Sequence, residues 1–112
     1  MPDFAPLPDP PYYAVIFTAL RRDDGDPGYS AMADKMFDLA KQQPGYIGVE
    51  STCSKDGLGI TVSYWTDEAA LTNWKAVSEH RLAQQLGRKR WYSHCTLRIA
   101  KVERHYNGPE GR

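Results

Sequence analysis

The sequence has few cysteines, no excess of charge of either sign and no long apolar run. Its two cysteines, Cys53 and Cys95, are too few for a disulfide framework, and neither stands at the spacing of a metal-binding cysteine motif. We expect both thiols to stay reduced. Fourteen basic and fourteen acidic residues cancel, so the chain lacks the positive field by which proteins attract nucleic acid or anionic membranes. We expect neither of them as a partner.

The lack of a long apolar run also bears on location. No stretch reaches the roughly 20 apolar residues of a membrane-spanning helix, and the first residues, MPDFAPLPDPPYY, lack the basic and apolar regions of a secretion signal. We therefore expect a cytoplasmic protein. Five of the first eleven residues are proline, which excludes regular structure there. We predict a Pro-rich N-terminal arm at 1–11, a single domain at 12–106 and a flexible tail at 107–112.

The pattern of the domain predicts the order strand, helix, strand, strand, helix, strand. YYAVIFTAL (12–20) is apolar on both alternating faces, which is typical of a strand covered on both sides. Asp26 and Pro27 suit the start of the first helix, and Thr66 suits the cap of the second. The strands are predicted at 12–20, 46–53, 59–65 and 91–105. This order is that of the ferredoxin-like α+β fold, with an antiparallel sheet.

Apolar residues on both faces of the strands predict an interface. Helices cover only one face of a ferredoxin-like sheet, yet in the first strand Val15 and Phe17 alternate with Ala14 and Ile16. A monomer would expose an apolar patch larger than the roughly few hundred Å2 that soluble monomers tolerate. We therefore predict a homodimer formed through the sheet.

The second predicted helix has two apolar groups that one straight helix cannot bury against a single sheet. At about 100° per residue, they lie on nearly opposite sides of the helix. The groups are Ala70, Trp74 and Val77, and Leu82, Ala83 and Leu86. A break near Ser78 and Glu79 would resolve the conflict and place His80 at the irregularity. Packing of the second group on another subunit would resolve it equally well.

Aromatic side chains, a potential base and a cation are concentrated in the last third of the chain. SYW (63–65) ends a strand, Trp74 and His80 belong to the following helix, and Arg98 lies within GRKRWYSHCTLRIAKVERHY (87–106). Such side chains on neighbouring elements of a small domain suit a pocket for a flat organic ligand.

These residues carry a resemblance to a known family. PGYIGVES, followed by GITVSYWTDEAALTNWKAVSEHRLAQQLGRKRWYSHCTLRIAKVERHY, resembles the antibiotic biosynthesis monooxygenase (ABM) family of dimeric α+β barrel proteins, over residues 12–106. The shared pattern is a strand ending in SxW, a helical Trp, a helical His and a last strand that begins with WY. The resemblance implies a homodimer paired sheet to sheet, with a cavity between helices and sheet in each protomer. Some members oxygenate polycyclic phenols without metal, flavin or haem, related members degrade haem, and others have no established catalytic role.

Oxygenation without a cofactor requires a phenol or enol to lose a proton before it passes an electron to O2. The pKa of a free phenol is about 10, and lowering it by about three units requires about 4 kcal/mol from the site. A base, a partner for the developing oxyanion and a dry aromatic pocket would supply this free energy. The predicted catalytic residues are His80 as base, Arg98 or Tyr92 as oxyanion partner, and Asn73 to orient a substrate oxygen. The predicted substrate-binding residues are Trp65, Trp74, Trp91, Phe17 and Tyr64.

Three of these residues also have structural interpretations. Trp74 at helical spacing suits a core, and His80 suits a solvated helix end. Arg98 lies in mid-strand among apolar neighbours, where an unpaired charge is costly, so it needs a partner. Glu50, a carboxylate of a dimer partner and a ligand are the alternatives.

Metal and nucleic-acid sites are not predicted. His94 and His105 have no third partner at metal-ligand spacing. The basic run at 88–90 stands beside Trp91, a combination found in single-strand binding grooves, but three charges in a net-neutral chain suit a solvated turn better.

The sequence thus predicts a cofactor-independent monooxygenase acting on an aromatic or polycyclic phenol. A haem-binding or haem-degrading monooxygenase is one alternative, with His80 as the haem ligand. Haem-degrading members resemble one another in an Asn on the first strand together with a helical Trp and His. Here YYAVIFTAL contains no Asn, and the spacing from Trp74 to His80 is shorter. A non-catalytic dimeric ligand-binding protein is the other alternative.

Overall fold

The computed structural model describes residues 4–22, 28–84 and 92–109. In this part of the chain four strands and two helices follow the predicted order. They are β1 (Tyr12–Arg21), α1 (Tyr29–Lys41), β2 (Tyr46–Cys53), β3 (Leu58–Trp65), α2 (Glu68–Gln84) and β4 (Tyr92–Val102). The strands form one antiparallel sheet in the order β2-β3-β1-β4. This topology confirms the ferredoxin-like α+β fold.

Strand register decides which side chains share a face of the sheet, because residues directly opposite one another point the same way. The helix-covered face includes Val15, Phe17 and Ala19 of β1 with their β3 partners Ser63, Thr61 and Gly59. The open face includes Ile16, Thr18 and Leu20 of β1 with their partners Val62, Ile60 and Leu58. Val15 packs with Ala40 of α1 and Trp74 of α2, which identifies its face as the covered one.

Trp65 is the centre of the larger core cluster. Its side chain is 0% exposed and stacks on Trp74, with ring centroids 5.8 Å apart and planes inclined by 21°. Tyr46 packs edge-on against the same ring at 5.6 Å. The indole N–H donates to Ser63 Oγ at 2.9 Å, so the polar atom of this buried ring is satisfied. Trp65 therefore joins α2, β2 and β3 in one packed unit.

Both helices begin one or two residues later than the sequence predicts. Asp67 rather than Thr66 caps α2, since its Oδ1 accepts the Ala70 backbone N–H at 2.8 Å. A carboxylate there meets an otherwise unpaired N–H of the first turn, and it also favours the positive helix end. Gly28 occupies the N-cap position of α1. The predicted cap at Asp26 and Pro27 lies outside the described residues.

The break in α2, one of the two alternatives, is not formed, because the helix continues from Glu68 to Gln84. Ala70 and Trp74 of its first apolar group are buried in the core. Around the expected break, Ser78 Oγ donates to the Lys75 carbonyl at 3.0 Å, and Lys75 pairs with Glu79 at 2.9 Å. Such local contacts are those of an ordinary helical turn. The side chains of the second apolar group lie outside the described residues.

Gly45 connects α1 to β2 in a conformation that a side chain would strain. Its φ is +81°, and an added Cβ would lie 2.5 Å from Ala70 Cβ and 2.7 Å from Thr66 Oγ1. We expect Gly45→Ala to lower the free energy of unfolding by about 1–3 kcal/mol. Urea unfolding measures this loss. Gly108→Ala is the control, because nothing lies within 4 Å of a Cβ there, and an equal loss in both variants would contradict the expectation.

The Pro-rich arm lies against one end of the open face. Ala5 is buried, and its backbone N–H donates to Glu50 Oε2 at 3.0 Å, while the Tyr64 hydroxyl donates to Glu50 Oε1 at 2.7 Å. Burial and the Glu50 carboxylate raise the pKa of Tyr64, because both oppose a phenolate. The arm approaches Gly48 so closely that a Cβ there would lie 2.8 Å from Ala5 Cβ. The arm therefore covers part of the open face.

Candidate active site

A cavity of about 180 Å3 lies between α1 and the helix-covered face of the sheet. Its roof is Met32, Ala33, Met36, Phe37 and Ala40 of α1. Its floor includes Val15, Phe17, Ala19, Gly59, Thr61 and Ser63. Trp74 and Ser78 of α2 and Tyr92 and Leu97 of β4 form further walls. The cavity thus lies where helices pack on a sheet, and most of its lining is apolar.

Three of the residues predicted for the site line this cavity: Phe17, Trp74 and Tyr92. Phe17 is on the covered face of β1, and Tyr92 is at the start of β4, opposite Arg21 of β1. The two rings meet edge to face, with centroids 5.4 Å apart and planes inclined by 74°. Tyr92 is buried and also packs with Met32. The two aromatic rings are therefore in contact where the floor of the cavity, at Phe17, meets its wall, at Tyr92.

Trp65 and Tyr64 do not line the cavity. Trp65 lies beneath Trp74, wholly buried, so its ring is part of the core instead of a wall. Tyr64 is the next residue along β3, and strand alternation therefore places it on the open face, where Glu50 accepts its hydroxyl. A dense aromatic run on a strand thus contributes one ring to each face of the sheet.

Arg98 and Asn73 also lie away from the cavity. Arg98 pairs with Ile16 in the sheet, so it belongs to the open face, where its guanidinium donates to Thr18 Oγ1 at 3.3 Å. Glu50, one of the three alternative partners, does not pair with Arg98, because β2 and β4 are the two opposite edge strands of the sheet. The Glu50 carboxylate instead accepts from Tyr64 and Ala5. Asn73 is exposed, and its amide donates to Gln43 Oε1 at 3.1 Å, near the end of α1.

The two remaining predicted residues fall partly or wholly outside the described residues. His80 belongs to α2, but its side chain is not among those described, and Trp91 lies outside the described ranges. Because α2 is continuous, positions 73 and 80 share one helix face, as two positions seven residues apart do. The roles assigned to His80 and Trp91 stay predictions.

The hydroxyl groups of the cavity are the feature that the sequence interpretation missed. Ser51 and Thr61 are register partners on β2 and β3, and their hydroxyls are hydrogen-bonded at 2.7 Å. Ser63 on β3 and Ser78 on α2 bring further hydroxyls to the lining. Alternation within YIGVESTC and GITVSYW places the strand residues on one face once the two strands are paired in register. That register was the signal that could have identified them.

Charge and metal ligands are sparse in the described part of the site. Arg21, at the end of β1, is a cation among the lining residues. Burial raises the pKa of Tyr46, another lining residue, so its hydroxyl stays protonated. Among the described residues, no group of three His, Cys, Asp or Glu side chains could hold a metal ion. In the same ranges, neither helix has the length and apolar character needed to cross a membrane.

Comparison with known proteins identifies a sequence relative. YqjZ of Bacillus subtilis strain 168, an uncharacterised protein, is 47% identical over 105 residues, which cover 93% of this chain and 91% of YqjZ. No model of a protein family matches the chain.

Solved structures with low sequence identity share the fold. SnoaB from Streptomyces nogalater, a cofactor-independent oxygenase, is 14% identical and superposes with a TM-score of 0.64, over 90% of this chain and 100% of SnoaB. A candidate antibiotic biosynthesis monooxygenase from Nitrosomonas europaea is 13% identical, with a TM-score of 0.67 over 81% of this chain and 89% of that protein. The chain therefore belongs to the same family as YqjZ, and its fold is that of the antibiotic biosynthesis monooxygenase-like proteins.

Proposed function

We propose that the protein is a cofactor-independent monooxygenase that oxygenates an aromatic phenol. The observation that supports this most directly is the cavity between α1 and the sheet, with Phe17, Trp74 and Tyr92 in its walls. Aromatic walls suit a flat ring, and a low-dielectric site strengthens the interactions that hold a phenolate. The shared fold with SnoaB, itself a cofactor-independent oxygenase, supports the same chemistry.

The proposed reaction needs no external reductant. A base removes the phenolic proton, the phenolate passes an electron to O2, and oxygen joins a ring carbon that carried hydrogen. The carbon then loses its hydrogen, one oxygen atom stays as a quinone carbonyl, and the other leaves as water. The substrate supplies both hydrogens of that water and all the electrons. We assign the base to His80 and a hydrogen bond to the developing oxyanion to a hydroxyl group of the cavity lining.

Oxygen uptake tests this function. Purified protein, treated with a chelator, is mixed with phenols of one to four rings, and O2 consumption and quinone formation are recorded together. We expect equimolar O2 consumption and quinone formation with at least one phenol. If phenols bind saturably but none of them causes O2 uptake, the protein is instead a non-catalytic binding protein. A haemin titration completes the test, because a saturable Soret shift at one haem per protomer that His80→Ala abolishes would favour the haem alternative.

We also propose that two protomers pair through the open face. This face has exposed apolar side chains beside the region that the arm covers. They are Leu20, Leu58 and Ile60, which are 40–46% exposed. We expect light scattering to give about twice the 12.7 kDa chain mass for the native protein. Ile60→Glu should give a monomer, because a carboxylate buried in the interface lacks a partner.

Ile99→Glu is the matched control for this prediction. Ile99 is 48% exposed but pairs with Val15, so it belongs to the other face of the sheet. The control should remain dimeric. A dimer that survives Ile60→Glu, or a native monomer, would contradict the proposed interface.

A further inference from the structure

We propose that the cavity selects a phenol of one or two fused rings and orients its oxygen toward the hydroxyl pair of Ser51 and Thr61. This inference rests on the proposed function for the chemistry of the ligand, but size and orientation follow from the cavity itself. The expected ligand is therefore smaller than that of an oxygenase whose substrates have three or four fused rings. Three features of the cavity support this size and orientation: its volume, the distribution of its polar groups and the small residues of its floor.

The volume limits the ring system. The cavity measures about 180 Å3, whereas pockets for drug-sized ligands measure roughly 300–1,000 Å3. An apolar cavity of about 150 Å3 accepts a single benzene ring. The present cavity therefore accommodates one ring, or two fused rings when the ligand extends toward the cavity mouth. Larger ring systems would require Met36 and Phe37 of α1 to move away from the sheet, at a cost in packing.

The polar groups are distributed unevenly across the floor. Its β1 half consists of Val15, Phe17 and Ala19, with the cation Arg21 at the strand end, and it continues to Leu97 of β4. Its β2 and β3 half carries the hydroxyls of Ser51 and Thr61, whose mutual hydrogen bond is exposed to solvent. A ligand that lies over Val15 and Phe17, away from Arg21, therefore places its apolar edge over β1 and its oxygen over β2 and β3.

The hydroxyl pair has the donor capacity that a phenol oxygen requires. Ser51 and Thr61 bring two O–H donors, and their mutual hydrogen bond at 2.7 Å uses one of them. The other can donate to a ligand oxygen, and the same oxygen atoms can accept the proton of a neutral phenol. Ser63 adds a third hydroxyl on β3, whose oxygen already accepts the Trp65 indole N–H. The pair thus recognises oxygen without a fixed charge.

Gly59 keeps the floor open beside this pair. It lies opposite Ala19 on β1 and Cys53 on β2, so the floor carries only small side chains here. A Cβ at Gly59 would meet its nearest neighbour, the Thr52 carbonyl oxygen, at 3.6 Å, which is ordinary contact. Larger side chains fit the backbone at this position, and they would fill the cavity.

Equilibrium dialysis with three probes tests the inference. The probes are 1-naphthol, naphthalene and 1-hydroxypyrene, which separate the hydroxyl group from ring number. We expect the native protein to bind 1-naphthol more tightly than naphthalene and more tightly than 1-hydroxypyrene. Thr61→Val should weaken 1-naphthol binding about three- to tenfold and leave naphthalene binding unchanged, since one hydrogen-bonding group is lost. Ser51→Ala should act in the same direction, and Gly59→Val should weaken binding of both two-ring probes.

Thr96→Val is the matched control. It makes the same change in the same sheet, but Thr96 pairs with Thr18 and so belongs to the open face. The control should bind all three probes as the native protein does. Preferred binding of 1-hydroxypyrene would overturn the size limit, and an unchanged preference for 1-naphthol in both Thr61→Val and Ser51→Ala would overturn the orientation. Because dialysis measures no turnover, absence of O2 uptake would refute the proposed oxygenase and leave this inference standing.

Discussion

Replacing His80 by alanine is expected to lower kcat for phenol oxygenation by about 10²–10⁴-fold, the usual contribution of a positioned general base. The phenol must ionise before it can reduce O2, and without a base the proton has to pass directly to water. Binding of the neutral phenol should change little, because aromatic walls and the Ser51–Thr61 hydroxyls provide it. The measurement is initial O2 uptake at saturating substrate, with Kd from dialysis beside it.

Two controls make this expectation specific to proton transfer. His94→Ala makes the same change on β4, where His94 is exposed, pairs with Leu20 and belongs to the open face. It should keep native turnover. Added imidazole should restore part of the turnover of His80→Ala, because a free base can enter a space left by the side chain. Native turnover in His80→Ala would remove His80 from the mechanism, and His94→Ala losing as much would indicate a structural effect.

Trp65→Ala is expected to lower the free energy of unfolding by about 3–5 kcal/mol, the usual loss for removing a buried Trp or Phe ring. Trp65 is fully buried, stacks on Trp74 and packs edge-on against Tyr46. Removal of the ring leaves a cavity and also leaves Ser63 Oγ without its indole donor. Single domains have about 5–15 kcal/mol of total stability, so this one change removes a large share.

Urea unfolding followed by far-UV circular dichroism measures the loss, at fixed protein concentration because association also contributes to stability. Trp65→Phe keeps an aromatic ring in the core and should lose less than Trp65→Ala. Phe4→Ala is the surface control, since Phe4 is 95% exposed, and its loss should stay within about 0.5 kcal/mol. A loss in Trp65→Ala as small as that of Phe4→Ala would contradict the central place of Trp65 in the core.

Element order was predictable because it depends on local patterns. The alternation of YYAVIFTAL, the turn residues between β2 and β3, and the helical spacing of α1 each occur within a short stretch of chain. Element ends were less predictable. The last strand ends at Val102 instead of residue 105, because Val102 pairs with Tyr12, the first residue of β1. Asp67 caps α2 although Thr66 is also a good capping residue, and the choice depends on where the chain leaves β3.

The residue types that line the cavity were predictable, but the individual residues were predictable only in part. The sequence indicated aromatic walls, and Phe17, Trp74 and Tyr92 do line the cavity. Trp65, Tyr64, Arg98 and Asn73 do not, although each is of a suitable residue type. Tyr64 and Trp65 are adjacent on a strand, so they belong to opposite faces of the sheet, and periodicity alone does not say which face the helices cover.

By itself the sequence determined the α+β element order, the apolar residues on both faces of the strands and the aromatic residues near the cavity, because each is a property of neighbouring residues. Only the tertiary structure decided that the arm covers part of the open face, that α2 continues from Glu68 to Gln84, and that the hydroxyls of Ser51 and Thr61 are hydrogen-bonded to each other. These features depend on contacts between residues that are distant in the chain or on how a helix packs against the sheet. Strand register and packing fix such contacts, and local propensity does not encode them.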